Sequence, residues 1–257
     1  MVAKYARPNS ILITGGSSGL GAALARAYAA PDVCLALTGR NADRLAAVAK
    51  DCTARGAEVH AAAIDVLERE RLADWIDARA VAAPLDLLIA NAGISAGTGG
   101  DGENEAQTRG ILAANVDGVV NTVMAALPPM RARRHGQIAI MSSLAAFRGF
   151  PGAPAYCASK AAVRVWGEAL RGQLTGDGVA VTVICPGYIK TPMTAVNRFP
   201  MPLLMESEKA AHIIRRGLAR NKARIAFPWP TYALVRILAA LPPGLIDPLL
   251  RRLPEKD

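Results

Sequence analysis

Short apolar runs alternate with longer helical patterns along this chain. The runs are Ser10–Thr14, Val33–Thr38, Glu58–Ile64, Leu85–Ala90, Gln137–Ser142, Val179–Cys185 and Ala223–Phe227. A stretch of helical periodicity follows each of the first six, the sixth after a loop. Unbroken apolar runs suit strands buried on both faces, as in a parallel sheet. Their alternation with helices implies βαβ crossovers. The prediction is an α/β fold: a doubly wound parallel sheet of about seven strands with helices on both faces. Ligands in such sheets bind beyond the carboxyl ends of the strands, so functional residues are expected just after the runs.

No low-complexity block or Gly/Ser linker divides the chain, and 257 residues with 52% apolar content suffice for one large core. Residues 1–228 are read as the catalytic domain and 229–257 as an apolar, basic helical extension of it. In that extension Leu234, Val235, Ile237, Leu238, Leu241, Leu245, Ile246, Leu249 and Leu250 accompany Arg236, Arg251 and Arg252, and two short helices broken at Pro242-Pro243 fit the pattern. An apolar face edged by arginines suits a membrane interface, a second subunit or a lid on the cleft, and the pattern does not choose among them. No apolar stretch is uninterrupted for the ~18 residues of a membrane span, and no secretory leader pattern opens the chain. The expected location is cytoplasmic, with peripheral contact on the inner face of a membrane left open.

The net charge of +9 is uneven, with no acid between Lys209 and Arg224 and a second basic cluster at Arg131, Arg133 and Arg134. Such patches suit phosphates, anionic lipid heads or an acidic carrier protein. Nucleic acid is not expected, because no aromatic residues interleave with the basic ones. Cys34, Cys52, Cys157 and Cys185 form no CxxC pair, and His60, His135 and His212 are scattered. Reduced thiols and no metal site are therefore expected.

The first run ends in Thr14-Gly15-Gly16-Ser17-Ser18-Gly19-Leu20-Gly21, and a helix follows. Glycines there permit a tight turn and close backbone approach to a pyrophosphate, which the helix N-terminus attracts. The spacing is G-x-x-x-G-x-G, not G-x-G-x-x-G. The second run ends in Thr38-Gly39-Arg40-Asn41, where an acid would bind the ribose 2′-hydroxyl of NAD. Arg40 instead offers a guanidinium for a 2′-phosphate, which favours NADP(H). Tyr156 and Lys160, four apart on a helical stretch, share a face. An ammonium beside a phenol is expected to lower its pKa from about 10 and suit it to general acid/base work. Ser143 is placed to donate to a substrate oxygen on which charge develops, and Asn115 to hold a water linking Lys160 to solvent.

On Thr14–Gly21, Asp65, Asn91-Ala92-Gly93, Asn115, Ser142-Ser143, Tyr156-Cys157-Ala158-Ser159-Lys160 and Pro186-Gly187, the chain resembles the short-chain dehydrogenase/reductase family in its compact, Rossmann-like form. The resemblance implies a catalytic tetrad of Asn115, Ser143, Tyr156 and Lys160. It implies cofactor contacts from Gly15, Ser17, Ser18, Gly19, Leu20 and Gly21, from Arg40, Asp65 and Val66, and from Asn91, Ala92 and Gly93. Tyr156, Lys160, Pro186, Gly187, Ile189 and Thr191 complete that set. The implied reaction is NADP(H)-dependent hydride transfer between nicotinamide and a carbonyl or secondary alcohol. The Met-rich segment around Met193, Phe199, Met201, Leu203, Leu204 and Met205 points to a hydrophobic or lipid-like substrate. Alternatives are a 3-oxoacyl (carrier protein or coenzyme A) reductase and a non-catalytic NADP-binding regulator or scaffold. The chain departs from the family at Ala90, where an asparagine is usual, and at Ala226-Phe227-Pro228-Trp229-Pro230, where many tetrameric members carry a Gly-rich strand. A homodimer is expected, through helices around residues 104–133 and 154–175.

Overall fold

The computed structural model describes residues 7–95, 102–197 and 199–250. The strands are β1 (Ser10–Thr14), β2 (Cys34–Thr38), β3 (Glu58–Ala62), β4 (Leu87–Ala90), β5 (Gly136–Met141), β6 (Val179–Pro186) and β7 (Arg224–Phe227). They form one parallel sheet in the order β3-β2-β1-β4-β5-β6-β7. The apolar runs thus located every strand, with ends shifted by only a residue or two. The helices are α1 (Gly19–Tyr28), α2 (Ala42–Thr53), α3 (Arg69–Ala82), α4 (Glu105–Leu112), α5 (Gly118–Arg133), α6 (Pro154–Leu174), α7 (Pro192–Ala195), α8 (Ser207–Leu218), α9 (Trp229–Ala240) and α10 (Pro243–Leu250).

Alternation along the strands sorts side chains to two cores, one on each sheet face. Ile11, Ile13, Leu35, Leu37, Leu87 and Ile89 pack with Leu24, Leu45, Val48 and Ile214, under α1, α2 and α8. Leu12, Ala36, Leu88, Ile138 and Ile140 pack with Leu72, Ile76, Val123, Met130 and Leu170, under α3, α5 and α6. The run Glu105–Arg133, in which a π turn at Ala113–Asp117 joins α4 to α5, is long and apolar enough to cross a bilayer. Its α5 part packs on α3, β4 and β5, so it is a core helix of the sheet's second face.

Two helices follow β7, on either side of Pro242, as the pattern predicted. Val235 joins a small core with Leu144, Val183 and Cys185, and Arg148 pairs with Asp247 at 3.3 Å. Arg251 and Arg252 lie outside the described residues, and so does the side chain of Leu249.

Gly167 sets how closely α6 approaches the sheet. A Cβ there would lie 2.8 Å from Val183 Cγ2 and 3.0 Å from Ile140 Cδ1. Gly167→Ala therefore forces these side chains or the helix to shift, at an expected cost of about 1–3 kcal/mol. Equilibrium urea unfolding measures it, and an unchanged midpoint contradicts the packing described.

Candidate active site

The strand order reverses between β1 and β4, so the loops after these two strands diverge to opposite faces and leave a crevice at the carboxyl edge. A cleft of about 270 Å³ occupies this position. Every residue that the sequence assigned to cofactor binding lines it, from Gly15 through Arg40, Asp65, Asn91 and Lys160 to Thr191.

The glycine loop is built for close approach. Gly15 adopts φ +68°, and a Cβ on Gly21 would lie 2.2 Å from the Gly15 carbonyl oxygen, which only glycine avoids. Asn91 holds this turn from β4, its Nδ2 donating to the carbonyls of Thr14 and Gly15 at 3.1 and 3.2 Å. Ser18 occupies the N-cap of α1 yet makes no side-chain cap hydrogen bond. Its hydroxyl and the first N–H groups of α1 are thus available to an anion. From the opposite wall Thr191 comes over Gly19, its Cγ2 3.0 Å from where a Cβ would stand.

Beside the glycine loop, where a Cβ on Gly39 would lie 2.9 Å from Ser17 Oγ, Arg40, Asn41 and Arg44 also line the cleft. Asn41 caps α2, its Oδ1 accepting from the Arg44 N–H at 2.8 Å, which fixes the helix start against the cleft. Both guanidinium groups sit on exposed residues and form no salt bridge among the described residues. Arg44 was not singled out from the sequence, where the signal was its place four residues beyond Arg40 on a helix that starts at the cleft.

The four expected catalytic residues gather where β5 meets α6. The Lys160 Nζ donates to the Met141 carbonyl at 3.0 Å, and the Ser142 hydroxyl donates to the Lys160 carbonyl at 2.7 Å. Strand end and helix are therefore stapled twice, at consecutive residues. Burial lowers the Lys160 ammonium to about 8, because its charged form loses hydration. Its Nζ stands 5.8 Å from the Tyr156 ring centroid. Ser143 follows β5 and caps a short 3₁₀ turn, its Oγ accepting from the Ala145 N–H at 3.1 Å.

One expectation is corrected here. The Tyr156 phenol is raised, not lowered: burial pushes it up, and the Ser143 hydroxyl beside it pulls it back only in part. The ammonium meant to lower it is turned to the Met141 carbonyl. The Asn115 side chain is bonded within the protein through both its nitrogen and its oxygen. Its Nδ2 donates to the Ile94 carbonyl and to Ser159 Oγ, both at 2.9 Å, and its Oδ1 accepts from the Ile94 N–H at 2.7 Å. Asn115 is fully buried in the π turn, and it ties the segment after Gly93 to α6. A local π turn of this kind commonly re-aims a side chain at a functional site.

Another contributor, Glu103, was missed because it acts across 52 positions of sequence. Its Oε2 accepts from the Ala155 N–H at 2.8 Å, capping α6 one residue before Tyr156. Ala153, the local N-cap residue, has no side chain able to do this.

The family model for the short chain dehydrogenases matches residues 9–200. The chain belongs to the short-chain dehydrogenase/reductase family. It is 40% identical over 243 residues to an uncharacterized oxidoreductase of Myxococcus xanthus, covering 94% of this chain and 96% of that one. It is 33% identical over 197 residues to the ketoacyl reductase HetN of Nostoc sp., covering 76% of this chain and 69% of that one. Among solved structures, a short chain dehydrogenase from Mycobacterium paratuberculosis bound to NAD matches with a TM-score of 0.79 and 25% identity, covering 90% of this chain and all 100% of that one. The chain is accordingly an oxidoreductase of a family that binds a nicotinamide cofactor and acts on CH–OH groups.

Glu103→Ala is expected to cost about 1 kcal/mol by uncapping α6, whereas Glu103→Gln keeps an acceptor and recovers most of it. Paired urea titrations read this, and equal losses in both variants contradict the capping role.

Proposed function

We propose that the protein transfers hydride between NADP(H) and a carbonyl or secondary alcohol, with Tyr156 as the proton donor and acceptor. The observation that carries this reading is the single cleft that joins the uncapped α1 N-terminus, the Arg40–Arg44 pair and the Tyr156–Lys160 pair. Its donor set fits a dinucleotide: helix N–H groups and serine hydroxyls for a pyrophosphate, and two guanidinium groups for a further phosphate. Asp65, Val66 and Asn91 to Gly93 line the stretch between, where an adenosine would lie. A nicotinamide cofactor held there would supply or accept the hydride.

The chain's own residues supply the rest. Lys160 would hold a ribose hydroxyl of the cofactor, and Pro186, Gly187, Ile189 and Thr191 would border its nicotinamide end. Tyr156 gives its phenolic proton to the substrate oxygen in reduction and takes one back in oxidation. Ser143 donates a hydrogen bond to the same oxygen, where negative charge develops. Asn115 fixes the wall that faces Lys160.

The substrate is read as hydrophobic. Met193 lines the cleft, and the apolar Met-rich segment follows it. A second reading, reduction of a 3-oxoacyl thioester, is supported by the likeness to the ketoacyl reductase of Nostoc and by the basic stretch around Arg216, Arg220 and Lys222. We further propose a dimer through α4, α5 and α6, supported by the exposed Leu112, Met124 and Val165 on those helices. The stripe Leu234, Ile237, Leu241 and Leu245, 38% to 71% exposed, supports contact of a cytoplasmic enzyme with the inner face of a membrane.

Tyr156→Phe is expected to lower kcat by about 10²–10⁴ while NADPH binding stays within a few-fold of wild type. A variant that remains active at neutral pH overturns the acid/base assignment. Arg40→Ala is expected to weaken NADPH by about 1.5–3 kcal/mol and leave NADH nearly unchanged. Titration by nucleotide fluorescence decides this, and equal losses for both nucleotides end the NADP reading. Because burial keeps the Tyr156 phenol protonated through neutral pH, carbonyl reduction should be flat there and alcohol oxidation should climb into the alkaline range. Oxidation that is flat with pH while chemistry limits the rate contradicts a titrating phenol.

A further inference from the structure

The opposite edge of the sheet holds a cluster that the reaction does not use. Cys34 begins β2 and pairs in register with Glu58 of β3, and His60 follows two residues later. Parallel pairing and strand alternation send all three side chains to the α3 face. Their ligand atoms, a thiol sulfur, a carboxylate oxygen and an imidazole nitrogen, lie within 4.8 Å of one another. The His60 Nε2 and a Glu58 oxygen are already 2.8 Å apart. All three line a cavity of about 70 Å³ together with Ser10 and Arg79, larger than the ~30 Å³ share of one water.

We propose that Cys34, Glu58 and His60 form a site for a divalent transition-metal ion of the zinc class. Sulfur, imidazole nitrogen and carboxylate oxygen are the three donor types that zinc takes, and three protein ligands leave a fourth position to water. Tetrahedral bonds of about 2.0–2.3 Å place such atoms about 3.5 Å apart, so side-chain rotation closes the set without moving the strands. Glu58 is exposed, and Cys34 and His60 are half-buried, so an ion can enter from solvent. Binding exchanges the thiol proton for the metal, and the proton leaves to bulk water.

Arg79, on the last turn of α3, is the competing cation. Its Nε is buried and has no hydrogen-bond partner, so nothing ties that nitrogen in the cavity. The ion then clips β2 to β3 at the edge of the sheet. The site lies ~13 Å from the cleft end of β2, counted along the strand, so it stabilises the fold without entering the reaction.

Cobalt(II) titration of the full chain, reduced and freed of metal with a chelator, tests the proposal. Expected are one ion per chain, a sulfur-to-cobalt charge-transfer band, and a melting temperature that rises with zinc. Cys34→Ser should remove the band and the thermal shift, and Glu58→Gln should weaken binding about tenfold or more. Arg79→Met should tighten it. Absence of binding at millimolar metal overturns the proposal. So does a charge-transfer band that survives in Cys34→Ser, or binding that appears only in Arg79→Met, which would make arginine the cavity's resident cation. Turnover of the chelated enzyme should match that of the zinc-loaded one.

Discussion

Everything in this molecule depends on covering both faces of a parallel sheet. Parallel strands need crossover connections, and helices on both faces require the chain to wind outward from β1 in one direction and then from β4 in the other. The reversal leaves adjacent loops pointing apart at one edge, and the cleft is the space between them. Its glycine turn, its arginine pair and its tyrosine–lysine pair belong to different crossovers. They meet because all the strands end on the same side.

The second constraint is the cost of burying polar groups near the chemistry. Lys160 is buried, and its ammonium donates to a strand-end carbonyl while its own carbonyl accepts from Ser142. Asn115 spends both amide hydrogens on Ile94 and Ser159. These bonds hold β5, the segment after β4 and α6 in one arrangement, so that Tyr156 stands at a fixed place in the cleft. Burial also explains why the tyrosine is raised: the phenolate loses hydration, and the nearby ammonium is already engaged.

The strands were legible in the sequence because burial on both sides writes itself as apolar runs. The cleft-lining residues were legible because they stand just after those runs. What remained hidden depends on distance through space. Arg44 joins the cleft through helical geometry, and Glu103 caps α6 from a segment far upstream. Cys34, Glu58 and His60 have no metal-ligand spacing along the chain; only the pairing of β2 with β3 brings them together. The direction of the Tyr156 shift was hidden too, since a four-residue spacing reports proximity to lysine but not the partner the ammonium chooses.

The central claim is that this cleft runs NADP(H)-dependent chemistry on an apolar carbonyl. NADPH oxidation by the wild-type protein, measured against carbonyls graded from small diketones to long-chain and steroid ketones, tests it most directly. The account predicts turnover that rises with apolar size. Tight NADPH binding without oxidation on any of these carbonyls would contradict it.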